Sequence, residues 1–163
     1  MPGGWFAILS AMRRLRIYVV CLIPLLLVAC RTVKPLPADD LSAPGWTIRQ
    51  GQAVWKTRES EIAGELIVAT HPDGRSSLQF IKTPLPLVSA QRHGQLWTIR
   101  FIADDRTVSG QGVPPAQLLW LHLVPALRGY LPPRTLEFKT DRGGNWELRT
   151  GERGESISGF LNP

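Results

Sequence analysis

Arg134-Thr135-Leu136-Glu137-Phe138-Lys139-Thr140 runs into Asp141-Arg142-Gly143-Gly144 and returns as Asn145-Trp146-Glu147-Leu148-Arg149-Thr150. Leu136 and Phe138 alternate with Glu137 and Lys139; Trp146 and Leu148 alternate with Glu147 and Arg149. A period of two places one set on each face of a strand. The Asp-Arg-Gly-Gly tetrapeptide between the runs is turn chemistry. The stretch therefore predicts a hairpin with one apolar face and one charged face, the pattern of an antiparallel sheet covered on one side only.

The same period recurs outward from this hairpin. Gln95–Ala103 sets Trp97, Ile99 and Phe101 against Thr98 and Arg100. Glu61–Thr70 and Ser77–Lys82 flank His71-Pro72-Asp73-Gly74, in which proline presets φ and glycine accepts a positive one, so they predict a second hairpin. Trp46–Thr57 is a further strand, with Gly51 suggesting a bulge. Arg106–Gly112 and Glu155–Leu161 are short strands. Thr83–Val88 is apolar but contains Pro84 and Pro86, which argues for an edge or a protruding apolar loop, not a central strand. Gln91-Arg92-His93-Gly94 is expected as a turn. Only Pro114–Arg128 breaks the period. Two prolines suit a helix start, Gln117–Val124 is apolar almost all round, and Pro125 should end or kink the helix. The expected fold is α+β and mainly β: an antiparallel half-barrel of about eight strands with one buried helix, Pro114–Arg128.

The N-terminal part has a separate logic. Arg13, Arg14 and Arg16 precede an apolar run, Ile17 to Ala29, that ends at Cys30. A basic region followed by an apolar one shorter than the roughly 20 residues of a membrane span reads as a secretory signal. Leu27-Val28-Ala29-Cys30 resembles a bacterial lipobox. That resemblance implies that residues 1–29 are removed and that Cys30 is acylated, anchoring the chain to a membrane. Arg31 follows where an Asp would imply inner-membrane retention, so the implied location is the inner leaflet of the outer membrane, facing the periplasm. Met12 gives a more compact signal than Met1 and is the expected start of translation. Residues 30–44, with Pro35, Pro37 and Pro44, read as an extended tether. Residues 45–163 read as one domain.

Removing 29 of 163 residues leaves 134, enough for one domain with a core. Sixteen Lys and Arg then face 13 Asp and Glu, a net charge of +3 where the whole chain has +6. With no basic run, this balance argues against nucleic acid as a partner. Cys21 falls in the removed part and Cys30 is the anchor, so the domain has no disulfide and no thiol ligand. His71, His93 and His122 are too scattered in sequence to suggest a metal site. Asp104-Asp105 reads as a turn, and Ser109-Gly110-Gln111-Gly112 lacks the context of a phosphate loop or nucleophile elbow. No nucleophile is set beside a base, so neither an enzyme nor a cofactor is expected.

Trp46, Trp55, Trp97, Trp120 and Trp146, with Phe80, Phe101 and Phe138, fall mostly on the inward side of their elements. They form either a tryptophan-rich core or the lining of an apolar hollow. In its lipobox, in Leu66–Lys82, Gln95–Ala103 and Pro114–Arg128, and in the closing hairpin Arg134–Thr150, the chain resembles the LolB and LolA lipoprotein-localisation family. That resemblance implies a half-barrel capped by helix whose hollow takes lipid or lipoprotein acyl chains, lined here by the eight aromatics. It also implies an exposed apolar loop that meets the membrane, for which Leu85 and Leu87 are the candidates. The alternative is an adaptor lipoprotein that binds another envelope protein through its sheet and has no cavity.

Overall fold

The computed structural model describes residues 33–151 and 154–162. The lipobox, Cys30 and the start of translation lie outside them. Residues Val33–Pro163 form a compact unit of their own, and the apolar core described below lies wholly within it.

Nine strands make one antiparallel sheet: β1 (Thr47–Lys56), β2 (Glu61–Thr70), β3 (Ser76–Lys82), β4 (Leu85–His93), β5 (Leu96–Phe101), β6 (Arg106–Gln111), β7 (Leu136–Thr140), β8 (Trp146–Thr150) and β9 (Ser156–Leu161). Their spatial order is β6-β5-β4-β3-β2-β1-β9-β8-β7, so β9 returns to pair with β1 and joins the two groups of hairpins. Among the described residues a single helix, α1 (Leu119–Leu127), connects the two edge strands β6 and β7.

The helix also reports the curvature. It packs on β3, β4 and β5 and again on β8. From β4 to β8 is five strand steps, about 24 Å on a flat sheet at roughly 4.8 Å per step. A helix about 10 Å across touches both only if the sheet curls around it. The fold is thus an α+β half-barrel, dominated by strand. The curl is helped where β1 meets β9: a side chain at Gly51 would collide with the Phe160 carbonyl, and one at Gly159 with the Gln52 carbonyl. Only glycine permits so close a crossing of two backbones.

Three details differ from the sequence reading. Leu85–His93 is neither a loop nor an edge but β4, paired on both sides. Its proline sits at the very start, Pro86 opposite Ile81, and the ladder shifts register between Phe80 and Ile81 to absorb the missing N–H. The turn expected at Gln91–Gly94 shrinks accordingly to Gly94-Gln95. Gly51 marks no bulge, since β1 pairs with β2 without a break from Thr47 to Lys56. The helix begins at Leu119 rather than Pro114 and runs through Pro125 to Leu127. Pro125 is tolerated because it stands in the last turn, where only one intrahelical bond is forgone.

The core is the apolar face read from the sequence. Leu66, Leu78, Phe80, Val88, Ile99, Leu123, Leu148 and Ile157 are essentially inaccessible to solvent. The opposite face is polar, with Glu137 paired to Arg149 at 2.6 Å on the final hairpin.

Candidate functional site

The concave side of the sheet is where the aromatic residues meet. Trp120 of α1 stacks on Phe80 at 4.9 Å between centroids and meets Trp55 edge-on at 5.7 Å. Trp55 in turn packs against Phe80 and Phe101 at 6.5 and 6.4 Å. Such offset and edge-to-face pairs are the favoured aromatic geometries. Trp97 and Trp146 are buried in the same core, and Phe138 packs against it from β7. Trp46 does not join them. It precedes β1 and lies against His71 at 5.3 Å, with the Arg75 guanidinium 5.2 Å from its ring centre.

Seven of the eight expected aromatics therefore converge, and the hollow they would line is filled by the helix. Clefts of about 410, 410, 390 and 340 Å³ open elsewhere on the domain. Of the seven, only Phe101 borders any of these clefts. The indole N–H groups of Trp97, Trp120 and Trp146 are buried without a hydrogen-bond partner. An unpartnered buried donor costs about 1–3 kcal/mol, and here there are three in one apolar core.

The element that fills the hollow meets the sheet through apolar packing, and glycine closes its C-terminus: Gly129 N–H donates to the Ala126 carbonyl at 2.9 Å and Tyr130 N–H to the Pro125 carbonyl at 3.0 Å. No side chain caps the N-terminus of α1, no acidic residue stands in its first turn, and no basic residue in its last. Leu119, Trp120, Leu121, Leu123, Val124 and Ala126 are all buried. On either side stand Gly112 and Gly129 with φ of 83° and 86°, values that glycine alone reaches without strain. The one polar group in the helix interior is His122, whose Nε2–H donates to the Pro115 carbonyl at 3.2 Å. Burial pushes its pKa below the ordinary imidazole value, and the nearby Arg92 charge adds to that.

The segment read as a tether is docked from Leu36 onward. Leu36 N–H donates to Thr98 Oγ1 at 2.9 Å, and its carbonyl accepts from Arg100 at 3.4 Å. Asp39, its side chain only 3% exposed, accepts from Gln91 Nε2 at 3.0 Å and His93 Nε2 at 2.8 Å. These partners lie on the outer face of β4 and β5, opposite Trp97 and Ile99. A polar strap thus covers the reverse of the strands that carry the helix. Composition alone missed it, although a carboxylate among prolines ahead of a polar strand face was the available signal.

The histidines occupy three separate settings: His71 beside Asp73, His93 on Asp39, and His122 in the helix. Among the described residues, no group of three His, Cys, Asp or Glu gathers as a metal site would require. Asp104 and Asp105 lie in the β5–β6 turn, and Ser109-Gly110-Gln111 ends β6. Leu85 is 66% exposed at the β3–β4 turn, whereas Leu87 is partly buried against the core. Ile102, 44% exposed, bonds through its N–H to the Leu87 carbonyl at 2.9 Å. Among the described residues, no helix is long and apolar enough to cross a membrane. The chain matches no known family and no curated protein.

Proposed function

We propose that this is an envelope lipoprotein whose half-barrel takes an acyl chain in the space that α1 fills. The observation that carries this reading is the occupant of the hollow: Trp120, stacked at 4.9 Å on Phe80, belongs to a helix with no side-chain cap at its N-terminus, flanked by two glycines of positive φ. Removing that helix from the concave face would expose an apolar trough lined by Trp55, Phe80, Trp97, Phe101, Phe138 and Trp146. An acyl chain buries about 0.8 kcal/mol per methylene, so a chain of ordinary length offsets the lost helix contacts. Ester and carboxyl oxygens would also accept from the orphan indole N–H groups.

The resemblance to the LolB and LolA family points the same way and suggests lipoprotein localisation to the outer membrane. In this reading acylated Cys30 holds the protein on the periplasmic side of that membrane. The strap begins at Leu36, six residues later, so the chain between them reaches at most about 20 Å. Leu85 supplies the apolar contact with the bilayer; Leu87 is turned into the core and takes no part.

A second reading is favoured by the filled interior itself: an adaptor lipoprotein with a solid core that binds another envelope protein. Native mass spectrometry of residues 31–163 from a bacterial host separates the two. Acyl-chain binding predicts a co-purified lipid mass, or uptake of added oleate. A clean apo mass that stays clean with oleate would reject it in favour of the adaptor.

A further inference from the structure

One cleft lies at the mouth of the half-barrel, between the end of α1 and the turns after β2 and β4. It has a volume of about 410 Å³. Its walls combine two arginines with an exposed apolar rim. Arg92 projects from the inner face of β4, two residues along from buried Ala90, and Arg128 stands just past the end of α1. Val113, Tyr130 and Leu131 form the rim and are 79%, 62% and 96% exposed.

Arg92 is the anomaly. It is partly buried, and burial pulls its pKa below the usual arginine value. Among the described residues it has neither a carboxylate partner nor a hydrogen bond. Also lining the cleft is His122, whose pKa burial and the Arg92 charge hold below the ordinary imidazole value. Arg128 likewise has no carboxylate partner among the described residues and lies 5.9 Å from the Tyr130 ring centre. A partly desolvated cation without a counter-ion is costly, and a guanidinium is built to bind a carboxylate through two parallel bonds. Directly opposite Arg92, on the same face of β5, is Trp97, whose buried indole N–H lacks an acceptor. The cleft thus has unmet demand for an anion at its mouth, and the core behind it holds an indole N–H without an acceptor, Trp97, which does not itself border the cleft.

We propose that this mouth binds the carboxylate of a single-chain anionic amphiphile, a fatty acid, through Arg92 and Arg128. The chain passes inward by Trp97, and Val113, Tyr130 and Leu131 shield its first methylenes. The inference rests on the acyl-chain reading above and sharpens it. The acyl chains of a lipoprotein end in esters and amides and bring no anionic group to the mouth, so the ligand class is free fatty acid. The volume of about 410 Å³ lies within the roughly 300–1,000 Å³ of ligand sites.

The test is a tryptophan-fluorescence titration of residues 31–163 with oleate, with methyl oleate delivered from cyclodextrin, and with inorganic phosphate. It compares the natural protein with R92Q and R128Q. The expected result is oleate binding that weakens roughly ten- to hundredfold in R92Q and less in R128Q. Methyl oleate binding should be equal in all three, and phosphate should show none. R92Q should melt no lower than the natural protein, which excludes a folding defect as the cause. If R92Q binds oleate and methyl oleate as the natural protein does, the anionic mouth is wrong and the hollow stands. If phosphate alone binds, and R92Q abolishes it, the site takes free anions and the fatty-acid proposal fails. If no probe binds, both the mouth and the hollow are rejected.

Discussion

Two segments outside the sheet grip the same strands, β4 and β5, from opposite sides, and by opposite chemistry. Inside, α1 packs on both strands in the apolar core that holds Val88, Ala90, Trp97 and Ile99, with no side-chain cap at its N-terminus. Outside, the strap through Leu36 and Asp39 is fixed by hydrogen bonds to Thr98, Gln91 and His93. Apolar contacts are non-directional, so another apolar body can replace the helix at little net cost. Hydrogen bonds to a buried carboxylate are directional, and breaking them leaves groups unsatisfied. On the proposed reading, the inner segment is the one that exchanges and the outer one stays.

The comparison is broken most severely at Trp120. Trp120→Ala removes the largest buried side chain of the helix and should cost about 3–5 kcal/mol in urea unfolding. If the vacated space admits a chain, added oleate should restore part of that loss. A variant that loses the stability yet gains nothing from oleate would make Trp120 an ordinary core residue. On the outer side, Asp39→Ala should cost about 1–3 kcal/mol by orphaning Gln91 and His93. The Leu36 amide should exchange faster in that variant, while oleate binding stays as it was.

A pH scan sharpens the inner side. His122 has its pKa lowered in the folded protein, so the unfolded chain binds more protons just below the ordinary imidazole value of about 6.5. Stability is then complete above that value and declines as pH falls below it, toward the lowered folded-state pKa. His122→Gln should flatten the melting temperature between pH 7 and 5; an unchanged slope would place its source elsewhere. The smallest effect belongs to the exposed pair Glu137–Arg149. Despite its 2.6 Å separation, Arg149→Ala should barely move the melting temperature, because water screens such a pair.

Much of this architecture was legible in the chain because a half-covered antiparallel sheet writes its two faces as alternation. The hairpins around Asp73-Gly74 and Gly143-Gly144 and the inward set Trp97, Ile99 and Phe101 follow from period and turn chemistry alone. β4 was hidden because Pro84 and Pro86 signal a break, while the irregularity that accommodates Pro86 is one extra residue, Leu87, left without a partner between Phe80 and Ile81. The convergence of seven aromatics was readable as inwardness. Which element fills the hollow was not, since only the curl of the sheet brings Trp120 onto Phe80. Arg92 looked like a turn residue because the mouth it lines is assembled from segments far apart in sequence. Trp46 was misplaced for a simpler reason: it alternates in step with half-exposed Ile48, and without the bulge expected at Gly51 the inward face of β1 falls on Ala53 and Trp55 instead.

The central claim is that an acyl chain replaces α1 while the strap stays in place. Amide hydrogen exchange of residues 31–163, with and without saturating oleate, tests it most directly. The account predicts that the amides of Leu119–Leu127 exchange faster when oleate is bound, while those of Leu36 and β5 keep their protection. Bound oleate with α1 equally or better protected would contradict it, and would mean that the helix is a fixed part of the core.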